Sequence, residues 1–234
     1  MKTEKSYSKP YTKEYADVYN NLYLLDEAHY QHTKFEINII ENLLQNKTNW
    51  LDVACGTGYH LNTVTSDVEK HGIDRSADMI NYAKETTSKD IKYLVGDIKK
   101  VKLNTLYDLV TFLWIGYVHS KSVDDAVNSL YCSSNRVNKK GNFLLTFCDP
   151  MYLFETFEDR QNFLNRGDMT FDGVVWSYRD DVNKLEYKNL VAPNRFKIIE
   201  KILPDYTDVV EMVYPQENNM YWKKSALLFV NKRK

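Results

Sequence analysis

The chain has no excess of charge of either sign. Its 31 basic and 32 acidic side chains leave a formal net charge of −1 over 234 residues, so no overall field favours nucleic acid or an anionic membrane as partner. No apolar run approaches the ~20 residues that span a bilayer. The first residues, Met1-Lys2-Thr3-Glu4-Lys5-Ser6-Tyr7, lack the apolar core of a secretory signal. Cysteine is scarce: Cys55, Cys132 and Cys148 are an odd set without C-x-x-C spacing, each in an apolar segment. They read as free thiols of a reducing compartment, so the expected location is the cytoplasm. The five histidines add no paired metal-ligand motif, and no metal site is expected. Internal repeats, low-complexity tracts and linkers are also missing, which leaves one domain over 1–234, long enough to bury a sizeable core.

What is present centres on Trp50-Leu51-Asp52-Val53-Ala54-Cys55-Gly56-Thr57-Gly58. The apolar run 50–54 reads as a buried strand. Gly56 and Gly58 let the backbone turn tightly and approach something that a side chain would block. Residues 59–65 then open a helix whose free N–H groups face whatever the turn holds. Strand, glycine turn and helix form the first unit of a nucleotide-binding α/β domain. A dinucleotide fingerprint needs a third glycine where Leu61 stands, and a P-loop needs Gly-Lys-Ser/Thr where the chain has Gly58-Tyr59-His60. Both are excluded.

From residue 49 strands and helices alternate, the signature of a parallel sheet. Strands are expected at 50–54, 68–73, 91–95, 107–113 and 142–148, with Gly141 marking the turn into the fifth. Helices are expected at 76–84, opened by Ser76 as N-cap, and at 123–137. Right-handed crossovers place the first strand in the middle, with ligands beyond the strands' carboxyl ends. Three features fall there. Asp74 ends the second strand, where a carboxylate can accept from both ribose hydroxyls at ~1.5–3 kcal/mol per charge-assisted bond. Gly96-Asp97-Ile98 ends the third, placing a second carboxylate at the same end of the sheet. Phe112-Leu113-Trp114-Ile115-Gly116 ends the fourth, its backbone beside the rest of the ligand.

This series resembles the class I S-adenosylmethionine (SAM)-dependent methyltransferases over residues 50–148. Their first motif is acidic-x-Gly-x-Gly-x-Gly; here Asp52 is the acidic residue and Ala54 replaces the first glycine, the smallest replacement there is. Asp74-Arg75-Ser76-Ala77-Asp78-Met79 is similar to the family's segment after strand two, where the methionine contacts adenine. Within the family, the runs 51–58 and 115–119 look most like small-molecule N-methyltransferases, in particular those acting on nucleotide-linked aminosugars, and more loosely glycine N-methyltransferase. The resemblance implies a Rossmann-like, mostly parallel sheet with an antiparallel edge, a helical lid over 1–48, a SAM-binding core over 49–148, a β-rich insert over 149–192 and a closing helix with edge strands over 193–234. It implies SAM as cofactor, held by Tyr15, Tyr19, Asp52, Ala54, Gly56, Gly58, Asp74, Arg75, Met79, Asp97, Ile98 and Leu113.

The lid carries Tyr7, Tyr11, Tyr15, Tyr19 and Tyr23, four apart, the last four on a helix expected over 10–25. The stripe serves either to pack on the main domain or to face the cofactor's cation, where aromatic faces add ~0.5–2 kcal/mol. A second helix is expected to turn Phe35, Ile39, Leu43 and Leu44 inward. The insert supplies Tyr152, Phe154, Trp176 and Tyr178 for a sugar face and Arg160, Arg166 and Arg179 for a phosphate, with strands expected at 171–178 and 185–191. A helix at 194–203 and antiparallel strands at 209–214 and 226–231 finish the chain. His119 is the expected base for the acceptor's proton, with Tyr117 and Asp149 at the same sheet edge.

The expected acceptor is therefore a small polar amine. Three alternatives stay open: a small-molecule O-methyltransferase, a nucleic-acid methyltransferase, and a SAM-fold protein that binds without transferring. The second needs Asp/Asn-Pro-Pro-Tyr/Phe after strand four, where this chain has Leu113-Trp114-Ile115-Gly116. The third fits poorly with the retention of Asp74 and Asp97. Oligomeric state is left open, a homodimer among the options.

Overall fold

The computed structural model describes residues 10–26, 29–87, 90–148, 169–181, 183–215 and 224–233. Asp149 and the insert residues Tyr152, Phe154, Arg160 and Arg166 lie outside these, as does Tyr7.

The expected alternation is observed. Strands β1 (Asn49–Val53), β2 (Glu69–Asp74), β3 (Ile91–Val95), β4 (Tyr107–Phe112) and β5 (Val137–Cys148) run parallel, while β9 (Tyr206–Val213) and β10 (Lys224–Lys232) add an antiparallel edge. Their order is β3-β2-β1-β4-β5-β10-β9, so β1 is the middle of the five parallel strands. Between them lie helices α3 (Tyr59–Thr63), α4 (Ala77–Thr86) and α5 (Val123–Ser134); α6 (Arg195–Ile202) precedes β9. Ser76, Ser122 and Asn194 cap α4, α5 and α6, each accepting a backbone N–H of the first turn.

Both faces of the sheet are buried, which is why its strands read as apolar runs rather than alternations. Leu51, Val110, Phe143 and Leu145 pack on one side with α5 and α6. Trp50, Leu109 and Leu144 pack on the other with Ile40, Leu61 and Ile80.

Four expectations are corrected. The helix foreseen over 10–25 is α1 (Lys13–Tyr19) followed by a π-helical turn, Asn20–Leu24, closed by the Leu25 N–H on the Asn20 carbonyl at 2.8 Å. The second helix, α2 (Tyr30–Leu43), packs Phe35, Ile39 and Leu43 against the core as partly buried side chains and ends at the buried Leu44, but it buries His32, Thr33, Glu36 and Ile40 most deeply; polar partners waiting in the core draw a polar stripe inward beside the apolar one. β5 starts at Val137 rather than 142, because its pairing with β4 jumps from Tyr107↔Val137 to Leu109↔Asn142. That bulge needs Lys140 at φ 66° and a Gly141 whose Cβ would lie 2.8 Å from the Asp108 carbonyl. The strand foreseen over 171–178 is two: β6 (Met169–Phe171) and β7 (Val175–Asp180) form a small antiparallel sheet with β8 (Leu185–Val191). Asp172 and Gly173 turn the chain there; Asp172 Oδ1 accepts from the N–H groups of Val174 and Val175, and Gly173 takes φ 97°.

Candidate functional site

The carboxyl ends of β1, β2, β3 and β4 open into one cavity of about 430 Å³. The turn after β1 forms one wall. Ala54, Gly56 and Gly58 all lie in the left-handed region, at φ 57°, 55° and 70°. Ala54 therefore holds a conformation that suits glycine, the residue the family motif has there. Gly58 starts α3, where a Cβ would meet the Tyr93 hydroxyl at 2.3 Å.

Asp74 joins two walls. Its Oδ2 accepts the Gly56 N–H at 2.9 Å and its Oδ1 the Ser76 N–H at 2.8 Å. Burial pushes its carboxyl above the ordinary range against the pull of these bonds. Beyond β3, Asp97 accepts the Lys99 N–H at 3.0 Å, and the Lys99 ammonium bridges Asp97 at 3.6 Å and Asp125 at 2.6 Å.

The chain ahead of α1 covers the opening. The Tyr11 hydroxyl and Nε2 of His119 are 2.6 Å apart, and the Tyr11 carbonyl accepts from Ser76 Oγ at 2.8 Å. Burial, then the positive charge of Arg75, push the His119 imidazole down to about 4, so it is neutral at physiological pH. Arg75 donates to the His119 carbonyl at 3.3 Å. In the π-helical turn Asn20 Oδ1 accepts from Thr57 Oγ1 at 2.6 Å, tying this segment to the glycine turn. The tyrosine rings succeed one another at 5.3–5.4 Å from Tyr11 to Tyr23.

Of the residues singled out in the sequence, Tyr19, Ala54, Gly56, Asp74, Arg75, Met79, Asp97, Ile98, Leu113, Tyr117 and His119 line the cavity. Three do not. Tyr15 points away and bonds the Tyr187 hydroxyl at 2.8 Å, with Tyr23 on the same oxygen. Asp52 is buried beneath the wall and accepts from Thr111 Oγ1 at 2.6 Å; burial, partly offset by His60, raises its carboxyl to about 7. Gly58 serves the backbone turn and the closeness of Tyr93. Trp176 belongs to the core, Tyr178 stacks on Tyr187, and Arg179 pairs with Asp181 at 3.5 Å. The cavity also gathers Tyr11, Ser76 and Trp114, known from the sequence only through the stripe, the run 74–79 and the run 112–116, and Ser120 and Ser129, which carried no site signal. Among the described residues no cluster of three or more His, Cys, Asp or Glu could hold a metal ion, and no helix is long and apolar enough to cross a membrane.

Residues 51–135 match a methyltransferase-domain family. Over 151 residues the chain is 24% identical to a dTDP-3-amino-3,4,6-trideoxy-alpha-D-glucopyranose N,N-dimethyltransferase of Streptomyces venezuelae, covering 64% of this chain and 62% of that one. Over 173 residues it is 30% identical to a Malonyl-[acyl-carrier protein] O-methyltransferase of Acetivibrio thermocellus, covering 62% and 60%. The chain thus spans less than two thirds of the length of these curated relatives. A SAM-dependent methyltransferase structure from Clostridium acetobutylicum matches with a TM-score of 0.65 and 18% identity, over 94% of this chain and 98% of that one. The fold is that of the class I SAM-dependent methyltransferases.

Proposed function

We propose that this chain, whose residues 51–135 match a methyltransferase-domain family, moves a methyl group from SAM to a small polar amine, such as an amino group on a nucleotide-linked sugar. One observation carries the reading: Asp74 stands at the carboxyl end of β2, beside a left-handed glycine turn, on the cavity wall. Its two oxygens accept the Gly56 and Ser76 N–H groups, and a carboxylate has further acceptor capacity for ribose hydroxyls. Met79, Ile98 and Asp97 suit an adenine, and Ala54, Gly56 and Leu113 suit the chain that carries the sulfur. The donor set fits the cofactor.

When bound, SAM supplies a methyl group already activated on a sulfonium. The protein's own task is then mainly alignment, for which effective molarities of ~10⁵–10⁸ M set the scale. Tyr11 and Tyr19 close the cavity, exclude water and offer aromatic faces to a cation. His119 takes up a proton or hydrogen bond from the acceptor at Nε2, the atom that Tyr11 now holds. An imidazole pushed down to about 4 is a weak proton sink, so positioning carries most of the rate and His119 orients the amine. In this reading the chain is one methyltransferase domain: 1–48 is the lid, 49–148 the cofactor core, 149–192 with Asp149 the acceptor cover, and 193–234 the closing helix and edge strands. It works in the cytoplasm on a small molecule rather than nucleic acid, alone or as a homodimer.

A second reading has support from the O-methyltransferase relative. A carboxylate acceptor has no proton to lose, and Arg75 on the cavity wall could attract it. Mass spectrometry over amine, hydroxyl and carboxylate acceptors separates the two: mass gain on carboxylates alone would replace the amine reading. The cofactor is tested by calorimetry with S-adenosylhomocysteine (SAH), NAD serving as the control. Asp74→Ala should weaken binding at least about tenfold, since charge-assisted hydrogen bonds contribute ~1.5–3 kcal/mol each. Unchanged affinity in that variant would sink the assignment.

A further inference from the structure

Glu36, on the polar inward face of α2, is 1% exposed. Its Oε2 accepts from His60 Nε2 at 2.8 Å and from the Trp114 indole at 2.9 Å. Its Oε1 accepts from Thr146 Oγ1 at 3.0 Å and from the Tyr214 hydroxyl at 2.6 Å. A buried carboxylate is costly, and an apolar residue of like volume often serves a fold as well. Here four donors satisfy it, and two of them belong to the segments that follow β1 and β4, neighbouring strands whose ends open into the cavity. His60 lies in the short helix that starts at Gly58. Trp114 lines the cavity, and it and Ile115 are left-handed in succession, at φ 52° and 49°. Each such residue costs about 1–2 kcal/mol, so the loop keeps its shape only because its surroundings impose it. The two walls also touch directly: a Cβ on Gly116 would lie 2.9 Å from that of Ala54.

We propose that Glu36 is a positioning residue for the cofactor. By holding the Trp114 indole and the His60 imidazole on one oxygen, it sets the loops after β1 and β4 at the separation the ligand needs. The proposal rests on the cavity being the SAM site. Glu36 itself lines no part of the cavity and acts through its two partners. Because it is carried by α2, the amino-terminal helices and both walls are placed as one unit.

The test is SAH binding to the full chain, followed by calorimetry and by the Trp114 indole ¹H–¹⁵N resonance, assigned through its loss in Trp114→Phe. In the wild type this resonance should shift as SAH is added. Trp114→Phe keeps an aromatic ring but removes the N–H, and should raise Kd about tenfold or more, as loss of a supporting contact behind a bound ligand does elsewhere. Glu36→Ala should do the same. Glu36→Gln can point its carbonyl at the imidazole and indole donors and its NH₂ at the two hydroxyls, which can turn round and accept. It should therefore stay within about threefold of the wild type. A residue that only stabilises the fold would lower the melting temperature of these variants without this ordering of affinities. An indole resonance unmoved by saturating SAH, or a folded Trp114→Phe that binds as the wild type does, overturns the proposal. The resonance is read on the wild type, so variants that fail to fold do not remove the test. Absence of SAH binding by the wild type would strike the cofactor reading itself.

Discussion

The hydroxyl of Tyr11 and the Nε2 of His119 are 2.6 Å apart, although 108 residues separate them in the chain. The contact joins the amino-terminal segment to the loop beyond β4 at the mouth of the cavity, and it occupies the atom that would meet an acceptor. Because burial keeps His119 neutral, one tyrosine proton is enough to satisfy the pair.

Tyr11 and His119 should therefore behave as a unit. Tyr11→Phe and His119→Asn are each expected to lower turnover by up to ~10²-fold, with SAH affinity nearly intact and the double variant no worse than either single one. The imidazole is pushed down to about 4, so kcat should show no inflection at the ordinary histidine position between pH 6 and 7. A clear inflection there, absent from His119→Asn, would contradict the neutral, buried placement.

Closure by the amino-terminal segment predicts protection from protease. Tyr11, Tyr19 and Asn20 hold the segment to His119, the cavity wall and Thr57. Limited proteolysis ahead of Asn49 should slow when SAH and acceptor are added. Equal cleavage with and without ligand would mean that the segment packs on the core without sensing the site.

Ala54 and Gly116 form a pair with a sign that can be measured. A methyl on Gly116 would sit 2.9 Å from the Ala54 methyl, so Gly116→Ala should destabilise by about 1–3 kcal/mol. Ala54→Gly removes both the clash and a left-handed alanine at φ 57°, and in the double variant it should recover most of the loss. Gly58→Ala, whose Cβ would meet the Tyr93 ring, should have no such rescue. Chemical denaturation of the four proteins gives the coupling energy.

Asp52 gives a pH signature of stability in the absence of cofactor. Its folded carboxyl is raised to about 7, while the unfolded one titrates at ~3.9. The folded state thus holds a proton that the unfolded state releases, and stability falls as pH rises from ~4 to ~7. Above that range the penalty is complete. Asp52→Asn, which keeps an acceptor for Thr111, should exceed the wild type by on the order of 2–4 kcal/mol at pH 8 and match it near pH 4. Parallel stability curves for the two proteins would show that Asp52 is not buried as charge.

Much of this site was legible in the residues. The glycine turn, Asp74 and Asp97 each sit at the end of an apolar run, and chemistry of that kind is local: a strand, a turn and a cap are specified within about ten residues. The stripe Tyr11–Tyr15–Tyr19–Tyr23 was visible too, but its direction was not. Four-residue spacing drifts round a helix, Tyr11 stands ahead of α1 with a left-handed backbone at φ 67°, and only Tyr23 falls in the π-helical turn at Asn20–Leu24. Tyr11 and Tyr19 therefore meet the cavity, while Tyr15 meets Tyr187.

The sequence by itself determined the strand succession, the glycine turn and the carboxylates at the strand ends. The burial of α2's polar face was decided only by the tertiary structure. Periodicity favours Phe35, Ile39 and Leu43 as the inner stripe, because a lone carboxylate should stay in water. Glu36 is buried more deeply than that stripe because His60, Trp114, Thr146 and Tyr214, as far as 178 residues away, converge on its two oxygens. Whether a buried charge is satisfied depends on donors that only the folded chain brings together.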